Sequence, residues 1–458
     1  MKNFLTLFSI LTLAPMFGLN AADSQPSKPN ILVILSDDQG YADAGFQGSK
    51  DVPTPHLDKL AASGVRCTSG YVTHPFCSPT RAGLLTGRYQ TRFGHEFNPV
   101  YDPLDTNEGL PLGERILPQF MKDGGYRTGW VGKWHLGSSA KHTPWQRGFD
   151  ETYGFIGGGH AFTNWKPNDR QYTLALTRNG QLVENVPEHL TTTFGEEGAG
   201  FIRRNKEQPW FLYLALNAPH TPHQPSAERE QRFAHVADPQ RRKYLAQISL
   251  LDDAVGAVCR ALEESRQTER TIVFFFTDNG GPTKNSAINT PLRGAKGQVY
   301  EGGVRVPFLV SWPGKLAAGK TYDAPVSSLD VFATSLAVAG VPLPTDKKQD
   351  GVNLIPYLNG ETKTVPHERL FWRVGGGVAH AVREGSWKLI RAKGKPDELY
   401  DLSTDIGEAK DLAGEKPNIA IRLATQIDAW DKELMEPVFL GSSVKNEDWG
   451  PGGANQTK

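Results

Sequence analysis

Short apolar runs alternate with longer amphipathic segments along this chain. Residues 31–35, 128–131, 210–216 and 271–276 are apolar runs, and each leads directly into polar residues. Continuous apolar runs of this length are typical of central strands that helices cover on both faces. Between two of them, residues 244–264 carry apolar side chains at spacings of three and four, which predicts a helix. This alternation predicts an α/β fold, in which functional sites gather at the carboxyl ends of the strands.

The pattern changes after about residue 355. Short strand-like runs at 370–372, 379–383 and 387–391 are separated by glycines, and a helical pattern follows at 418–434. We expect a smaller C-terminal α+β subdomain with an antiparallel sheet. The predicted division is a main domain at 23–355, the subdomain at 356–440 and a flexible tail at 441–458.

The first residues predict export. Lys2 precedes an apolar run at 4–19, and Ala21 and Ala22 supply small residues for cleavage. This pattern predicts a signal peptide at 1–22 and a periplasmic or extracellular protein. The alternative, a membrane anchor, is disfavoured because the run is short and is broken by Pro15 and Gly18.

Charge and cysteine content exclude several classes of protein. The 458 residues carry 50 Lys and Arg against 50 Asp and Glu. This balance argues against a nucleic-acid partner or an anionic membrane held by bulk electrostatics. The three cysteines are too few for a disulfide framework. Of these, Cys67 and Cys259 are expected to be inert buried thiols.

Two predicted strands end in carboxylates. Asp37 and Asp38 follow the first run, and Asp278 and Asn279 follow the last. Carboxylates crowded at one sheet edge repel each other unless a cation or protons intervene, and oxygen ligands favour Ca²⁺ or Mg²⁺ over zinc. The alternative is that these residues cap turns or helices. The pattern by itself leaves both interpretations open.

A third feature is the polar segment 74–87, which contains Cys77, Pro79 and Arg81. A thiol near a helix N-terminus and a guanidinium is expected to have a lowered pKa. Cys77 is therefore a candidate nucleophile, and a buried structural thiol is the alternative.

The Cys-x-Pro-x-Arg run resembles the maturation signature of the type I sulfatases, a family of the alkaline-phosphatase-like superfamily. Residues 125–135 resemble the second signature of that family, and further matches occur, in the family's order, at 53–58, 219–220, 293–296 and 300–307. The resemblance covers residues 29–340 closely. Phe76 departs from the smaller residues that are usual there, while Pro79 and Arg81 are present.

The resemblance implies a fold and a reaction. The fold would be a large mixed, mostly parallel sheet sandwiched by helices. The protein would be a secreted sulfatase that hydrolyses O-sulfate esters, most plausibly of carbohydrates, through a covalent formylglycine-sulfate intermediate. A separate maturation enzyme would oxidise Cys77 to Cα-formylglycine. The implied ligands of one divalent cation, Ca²⁺ favoured over Mg²⁺, are Asp37, Asp38, residue 77, Asp278 and Asn279.

The same resemblance implies roles for the basic residues. Arg81 and Lys133 would hold the formylglycine, and Lys133 and Lys296 would reach the sulfate. His135 would take a proton to expel sulfate, and His220 with Lys296 would protonate the leaving alcohol.

The sequence gives weaker signals for the residues that contact the substrate. Aromatic and polar side chains near the matched motifs suit a sugar ring, although flexible loops have the same composition; the candidates are His95, His160, Trp165, Arg293, Trp372 and Arg373. Two alternatives to a carbohydrate sulfatase remain, a phosphate or phosphonate ester hydrolase and a non-catalytic glycan-binding relative with unconverted Cys77.

Overall fold

The computed structural model describes residues 28–163, 176–185 and 188–441. The predicted signal peptide, Trp165 and nearly all of the predicted tail lie outside these residues. Within them, no helix is both long and apolar enough to cross a membrane.

The strands form one large sheet, one small parallel pair and one C-terminal sheet. In chain order they are β1 (Asn30–Asp37), β2 (Val65–Cys67), β3 (Gly70–Tyr71), β4 (Arg127–Lys133), β5 (Glu151–Phe155), β6 (Thr177–Arg178), β7 (Gln181–Leu182), β8 (Trp210–Pro219), β9 (Thr271–Thr277), β10 (Phe308–Ser311), β11 (Lys320–Tyr322), β12 (Val326–Ser327), β13 (Arg369–Val374), β14 (Ala379–Glu384), β15 (Trp387–Ala392) and β16 (Glu398–Asp401).

Helices pack around these strands. They are α1 (Pro55–Ala62), α2 (Cys77–Thr86), α3 (Leu117–Asp123), α4 (Leu190–Arg204), α5 (Ala227–Gln231), α6 (Pro239–Glu264), α7 (Glu301–Val304), α8 (Asp330–Ala339), α9 (Ile355–Leu358) and α10 (Pro417–Asp431). Short 3-10 helices lie at Gly45–Gln47, Gln90–Phe93, Ala140–His142, Pro144–Gln146, Thr268–Arg270 and Thr283–Asn285.

The large sheet has the order β11-β2-β10-β9-β1-β8-β4-β5-β6-β7. The central strands β9, β1, β8, β4 and β5 run parallel to one another. Antiparallel neighbours lie toward both edges, because β10 pairs with β9 and β2, and β6 pairs with β5 and β7. The predicted mixed, mostly parallel sheet is confirmed.

Alternation along β1 explains why its apolar run is continuous. Ile31, Val33 and Leu35 pack into the core on one face with α2, α3 and α8. Leu32 and Ile34 pack into the core on the other face with α1, α4 and α6. Both faces of the strand are buried, so every position is apolar.

The C-terminal sheet, β13-β14-β15-β16, is antiparallel throughout. One face packs against α10 through Val382, Leu389 and Leu423. The other face packs with Tyr71, Val299 and Tyr300 of the main sheet region. The predicted antiparallel sheet with one helix is confirmed, and its opposite face contacts the segment that precedes α7.

Candidate active site

The chemically capable residues meet at the carboxyl ends of the central strands. Asp37 ends β1 and Lys133 ends β4, while His220 follows β8 and Asp278 follows β9. These strands are neighbours in one parallel array, so their carboxyl ends open into a single crevice. Cys77, the first residue of α2, enters the same crevice.

Three carboxylates and one thiol form the floor of the crevice. One ligand atom each from Asp37, Asp38, Asp278 and Cys77 lies within 4.8 Å of the others. Asn279 joins them, since its Nδ2 donates to Oδ1 of Asp38 at 2.7 Å. All of these side chains are buried.

Each carboxylate has a cation within hydrogen-bond distance. Lys133 Nζ lies 2.6 Å from Oδ2 of Asp37, and Lys296 Nζ lies 2.6 Å from Oδ1 of Asp38. The guanidinium of Arg81 donates to Oδ2 of Asp278 through Nη2 at 2.7 Å and Nε at 3.1 Å; the Arg81 and Asp278 side chains have no solvent exposure. Burial of charge is costly unless it is paired, and this arrangement supplies the pairing.

The carboxylates differ in how readily they take up a proton. Burial would raise the pKa of Asp38, but Lys296 and His220 outweigh it and hold that pKa well below its ordinary value. Burial and the charge of Asp37 raise the pKa of Asp278, against the opposing effect of Arg81. Lys296 itself stays charged, because Asp38 raises its pKa despite burial.

The donor set fits a hard divalent cation. Besides the three carboxylates, Oδ1 of Asn279 is buried and has no hydrogen-bond partner within the described part of the chain. An unpaired buried acceptor is costly, and a cation beside it removes that cost. Carboxylate and amide oxygens are the ligands that Ca²⁺ and Mg²⁺ prefer.

Cys77 is almost fully buried, with 2% of its surface exposed. Its Sγ lies 3.3 Å from Lys296 Nζ and 3.7 Å from Oδ1 of Asp37. Burial raises the pKa of the Cys77 thiol to about 12, and the nearby lysines only partly oppose this effect. The lowered pKa expected from the helix N-terminus and Arg81 is therefore wrong, because desolvation dominates. As an unmodified thiol, Cys77 is a poor nucleophile.

Two histidines border the crevice. His135 has φ of 61°, in the left-handed region, and its Nδ1 is buried without a hydrogen-bond partner in the described residues. Burial together with Lys133 and Arg81 holds the pKa of His135 well below its ordinary value. His220 Nε2 lies 3.6 Å from Oδ2 of Asp38, and its Nδ1 lies 2.7 Å from Thr221 O. Burial lowers the pKa of His220 to about 4.

The predicted substrate contacts have protein partners in the structure. His95 Nε2 lies 2.7 Å from Ser78 Oγ, and His160 Nδ1 lies 2.6 Å from Ala161 O. Arg293 donates to Tyr400 and stays partly exposed. Their contact with substrate stays a prediction.

Two further candidates come from β13. Trp372 Nε1 donates to Val72 O at 2.7 Å, and Arg373 pairs with Glu96 and Asp431. Both side chains are buried, and their contact with substrate also stays a prediction. Trp165 lies outside the described residues.

The sequence did not reveal what supports His135. Ser78 Oγ donates to His135 O at 2.6 Å, so it must accept its second hydrogen bond from His95. The expectation that both remaining thiols are buried is confirmed for Cys67, whereas Cys259 is only partly buried, although it packs against the core.

Two family models and several known proteins are similar to this chain. The family model described as sulfatase matches residues 29–341, and one described as N-sulphoglucosamine sulphohydrolase, C-terminal, matches residues 295–433. N-acetylgalactosamine-6-sulfatase of Canis lupus familiaris is 33% identical over 406 residues, which cover 84% of this chain and 75% of that protein. Steryl-sulfatase of Mus musculus is 33% identical, covering 86% and 80% of the two chains. The crystal structure of Ps i-CgsB in complex with k-i-k-neocarrahexaose superposes with a TM-score of 0.87 at 35% identity, covering 91% and 96%.

Proposed function

Because this chain belongs to the sulfatase family and is a sulfuric ester hydrolase, we propose that its substrates are O-sulfate esters of carbohydrates and that the crevice around Cys77 is its active site. The named relatives support the carbohydrate assignment, since one is named for an N-acetylgalactosamine sulfate and another was crystallised with neocarrahexaose.

The observation that carries this proposal is the charge arrangement around Cys77. Four ligand atoms within 4.8 Å of one another lie beside three fixed cations, in a buried crevice. Fixed positive charge in such a place stabilises a sulfate ester far better than it would in water. A neutral chain can therefore attract an anionic substrate locally, without net positive charge.

We assign the cation ligands to Asp37, Asp38, Asp278, Asn279 and residue 77. A divalent ion, Ca²⁺ favoured, would supply positive charge next to the sulfate oxygens. Formylglycine at position 77 would supply a hydroxyl nucleophile, which the unmodified thiol with its raised pKa does not provide.

Arg81, Lys133 and Lys296 orient the reacting groups. Arg81 holds Asp278 in a two-point contact and donates to Lys133 O at 3.2 Å, so it fixes the end of β4 as well. Lys133 is fixed by Asp37, and Lys296 lies nearest the sulfur, where it can contact one sulfate oxygen. Arg81 and Lys133 would hold the formylglycine, and Lys133 and Lys296 would bind the sulfate group of the ester.

The two histidines move protons. His135 is kept neutral by burial and by Lys133, which is the form that a proton acceptor needs. His220 holds its Nδ1 toward Thr221 O, so Nε2 faces the crevice. The negative charge of a bound sulfate ester beside His220 would favour its protonated form, from which Nε2 gives a proton to the leaving alcohol.

We also propose that the protein is exported and that Cys77 is converted to formylglycine by a separate enzyme. The pattern at residues 1–22 supports secretion to the periplasm or the extracellular space. The Cys-x-Pro-x-Arg run supports recognition by a formylglycine-generating or sulfatase-maturating enzyme.

Mass spectrometry and sulfate release together test the proposal. After expression with a maturation enzyme, a peptide spanning 66–88 should show residue 77 lighter by the replacement of CH2SH with CHO. Wild-type protein and Cys67→Ala should release sulfate from sulfated oligosaccharides, whereas Cys77→Ala should not. Sulfate release by Cys77→Ala, or a clear preference for aryl phosphate over aryl sulfate, would contradict the assignment.

A further inference from the structure

A second buried ion cluster lies outside the crevice. Lys388 Nζ lies 2.8 Å from Oε1 of Glu301 and 2.9 Å from Oε1 of Glu408, and all three side chains have 0% exposure. Arg305 adds a contact of 3.2 Å to Oε2 of Glu301. Two carboxylates and two cations thus face one another with almost no exposure to solvent. Burying four charges is costly, and hydrophobic residues would often serve stability as well.

The cluster joins the C-terminal sheet to α7. Lys388 belongs to β15, Glu408 follows β16, and Glu301 is the first residue of α7. Oε2 of Glu408 accepts the backbone N–H of Glu301 at 2.7 Å, and Glu408 O accepts from Arg293 Nη1 at 2.8 Å. The C-terminal sheet therefore fixes the start of α7 and the residue that opens the Lys296 loop (residues 293–302).

From α7, the contacts reach the strand end that carries Asp278. Gly280 N donates to Gly303 O at 3.0 Å. A β-carbon at position 280 would lie 1.7 Å from Gly302 O, so the two backbones touch where any side chain would separate them. Gly280 directly follows Asp278 and Asn279, and a shift of α7 is transmitted to both of them.

The Lys296 loop is closed by α7 as well. Gly302 N donates to Arg293 O at 2.7 Å, and Gly297 N donates to Pro75 O at 3.0 Å, two residues before Cys77. Lys296 thus sits on a loop held at one side by α7 and at the other by the segment that leads into α2.

We propose that Lys388 is a positioning residue of the active site: its ion pairs with Glu301 and Glu408 fix α7, and α7 fixes both the Asp278–Asn279 strand end and the Lys296 loop. This inference rests on the proposed function for its effect on catalysis. The mechanical link itself, from the C-terminal sheet to the site, depends only on the contacts above.

The test compares two variants of the C-terminal sheet. Lys388→Met with Glu408→Gln removes one charge of each sign, leaves Glu301 paired with Arg305, and keeps an acceptor at position 408. Leu389→Ala is the matched control. Leu389 is the next residue of β15 and packs on the opposite face against α10, so its truncation leaves a cavity without touching α7.

Three measurements are made on the folded, matured proteins: calorimetry, steady-state kinetics and hydrogen exchange. For the double variant we expect at least tenfold weaker Ca²⁺ binding by calorimetry and at least a tenfold lower kcat on an aryl sulfate, with a smaller change in KM. We also expect at least tenfold faster hydrogen exchange at the amides of Gly280 and Gly302. Leu389→Ala should lower the Tm while leaving all of these values near wild type below the transition.

The outcomes separate the two proposals. Wild-type exchange rates at Gly280 and Gly302 in the double variant, or equal losses in Leu389→Ala, would overturn the positioning role and leave the cluster as a stabilising feature. If the amides exchanged faster in the double variant, but the wild-type protein itself neither bound Ca²⁺ nor released sulfate, the mechanical link would be supported and the proposed function contradicted.

Discussion

The imidazole of His135 occupies the space that a side chain at position 158 would need. A β-carbon on Gly158 would lie 2.5 Å from Nε2 and 2.7 Å from Cε1 of His135. The backbone at Gly158 is not in the left-handed region, so its conformation does not require glycine. Glycine is required there because a side chain has no room. The loop at 156–160 thus forms one wall of the His135 site, and His135 N donates to Ile156 O at 3.1 Å.

Gly158→Ala should reduce turnover without unfolding the protein. The added methyl group displaces the His135 ring, and a misplacement of about 1 Å in a reacting group can cost on the order of 100-fold in rate. We expect a 10- to 100-fold lower kcat, by this order-of-magnitude reasoning, with an unchanged circular dichroism spectrum. Gly113→Ala is the control, because nothing lies within 4 Å of a β-carbon there. If Gly158→Ala and Gly113→Ala had equal kcat, contact between a side chain at position 158 and the His135 ring would not affect turnover.

Lys133→Met should destabilise the protein as well as inactivate it. Removal of Lys133 leaves Asp37 with a weaker partner, Arg81 at 3.5 Å, in a site without solvent. Breaking a buried pair in this way costs about 3–5 kcal/mol of unfolding free energy. Adding Asp37→Asn should restore much of the stability and none of the activity, because the carboxylate is also an assigned cation ligand.

The matched control for Lys133 is Lys59→Met. Lys59 also forms an ion pair at 2.6 Å, with Glu263, but its side chain is 69% exposed. An exposed pair is screened by solvent and contributes little to the free energy of unfolding. Chemical denaturation measures both variants, and a similar loss in the two would show that burial does not set the value of these pairs.

The sequence identified the strands that are buried on both faces and missed those that are short. The runs at 31–35, 210–216 and 271–276 correspond to β1, β8 and β9, because burial on both faces leaves a continuous apolar signal. A strand of two residues, such as β12, carries no such period. It forms because Val326 N donates to Ser69 O, a long-range relationship that no local pattern encodes.

The same division holds for the site. The carboxylates were predictable because they follow recognisable strands, and Cys77 because its neighbours Pro79 and Arg81 match a family signature. The direction of the Cys77 pKa shift was not predictable from the sequence, since it depends on burial rather than on the nearest charge. Lys388 was also missed, because a lysine between the apolar side chains of Trp387 and Leu389 looks like the ordinary alternation of an antiparallel strand with one face in solvent.

His220→Ala should affect substrates according to their leaving groups. An alkyl alkoxide needs a proton as the ester bond breaks, whereas an activated phenolate does not. We expect a loss of roughly 100-fold or more in kcat/KM for sugar sulfates and about tenfold or less for nitrophenyl sulfate. His223→Ala is a nearby control, since its Nε2 lies 3.1 Å from Pro219 O and its ring packs on Tyr244. Equal losses on both substrate types in His220→Ala would remove it as the proton donor.

The pair formed by His367 and Asp330 should make stability depend on pH. Nε2 of His367 lies 2.8 Å and 3.0 Å from the two oxygens of Asp330, whose side chain is fully buried. Burial lowers the pKa of His367, but Asp330 outweighs it, so the folded-state pKa lies above the ordinary value of 6.5. A raised folded-state pKa means that the stabilisation is fully present below pH 6.5 and is lost as the pH rises through the folded-state pKa.

His367→Gln should therefore lower the unfolding free energy by about 2 kcal/mol at about pH 5.5 and by clearly less at about pH 9. His235→Gln, at an exposed position, should follow the wild-type profile. Chemical denaturation across this pH range measures the unfolding free energy of each protein. If the difference between wild type and His367→Gln grew with pH, the raised folded-state pKa of His367 would be contradicted.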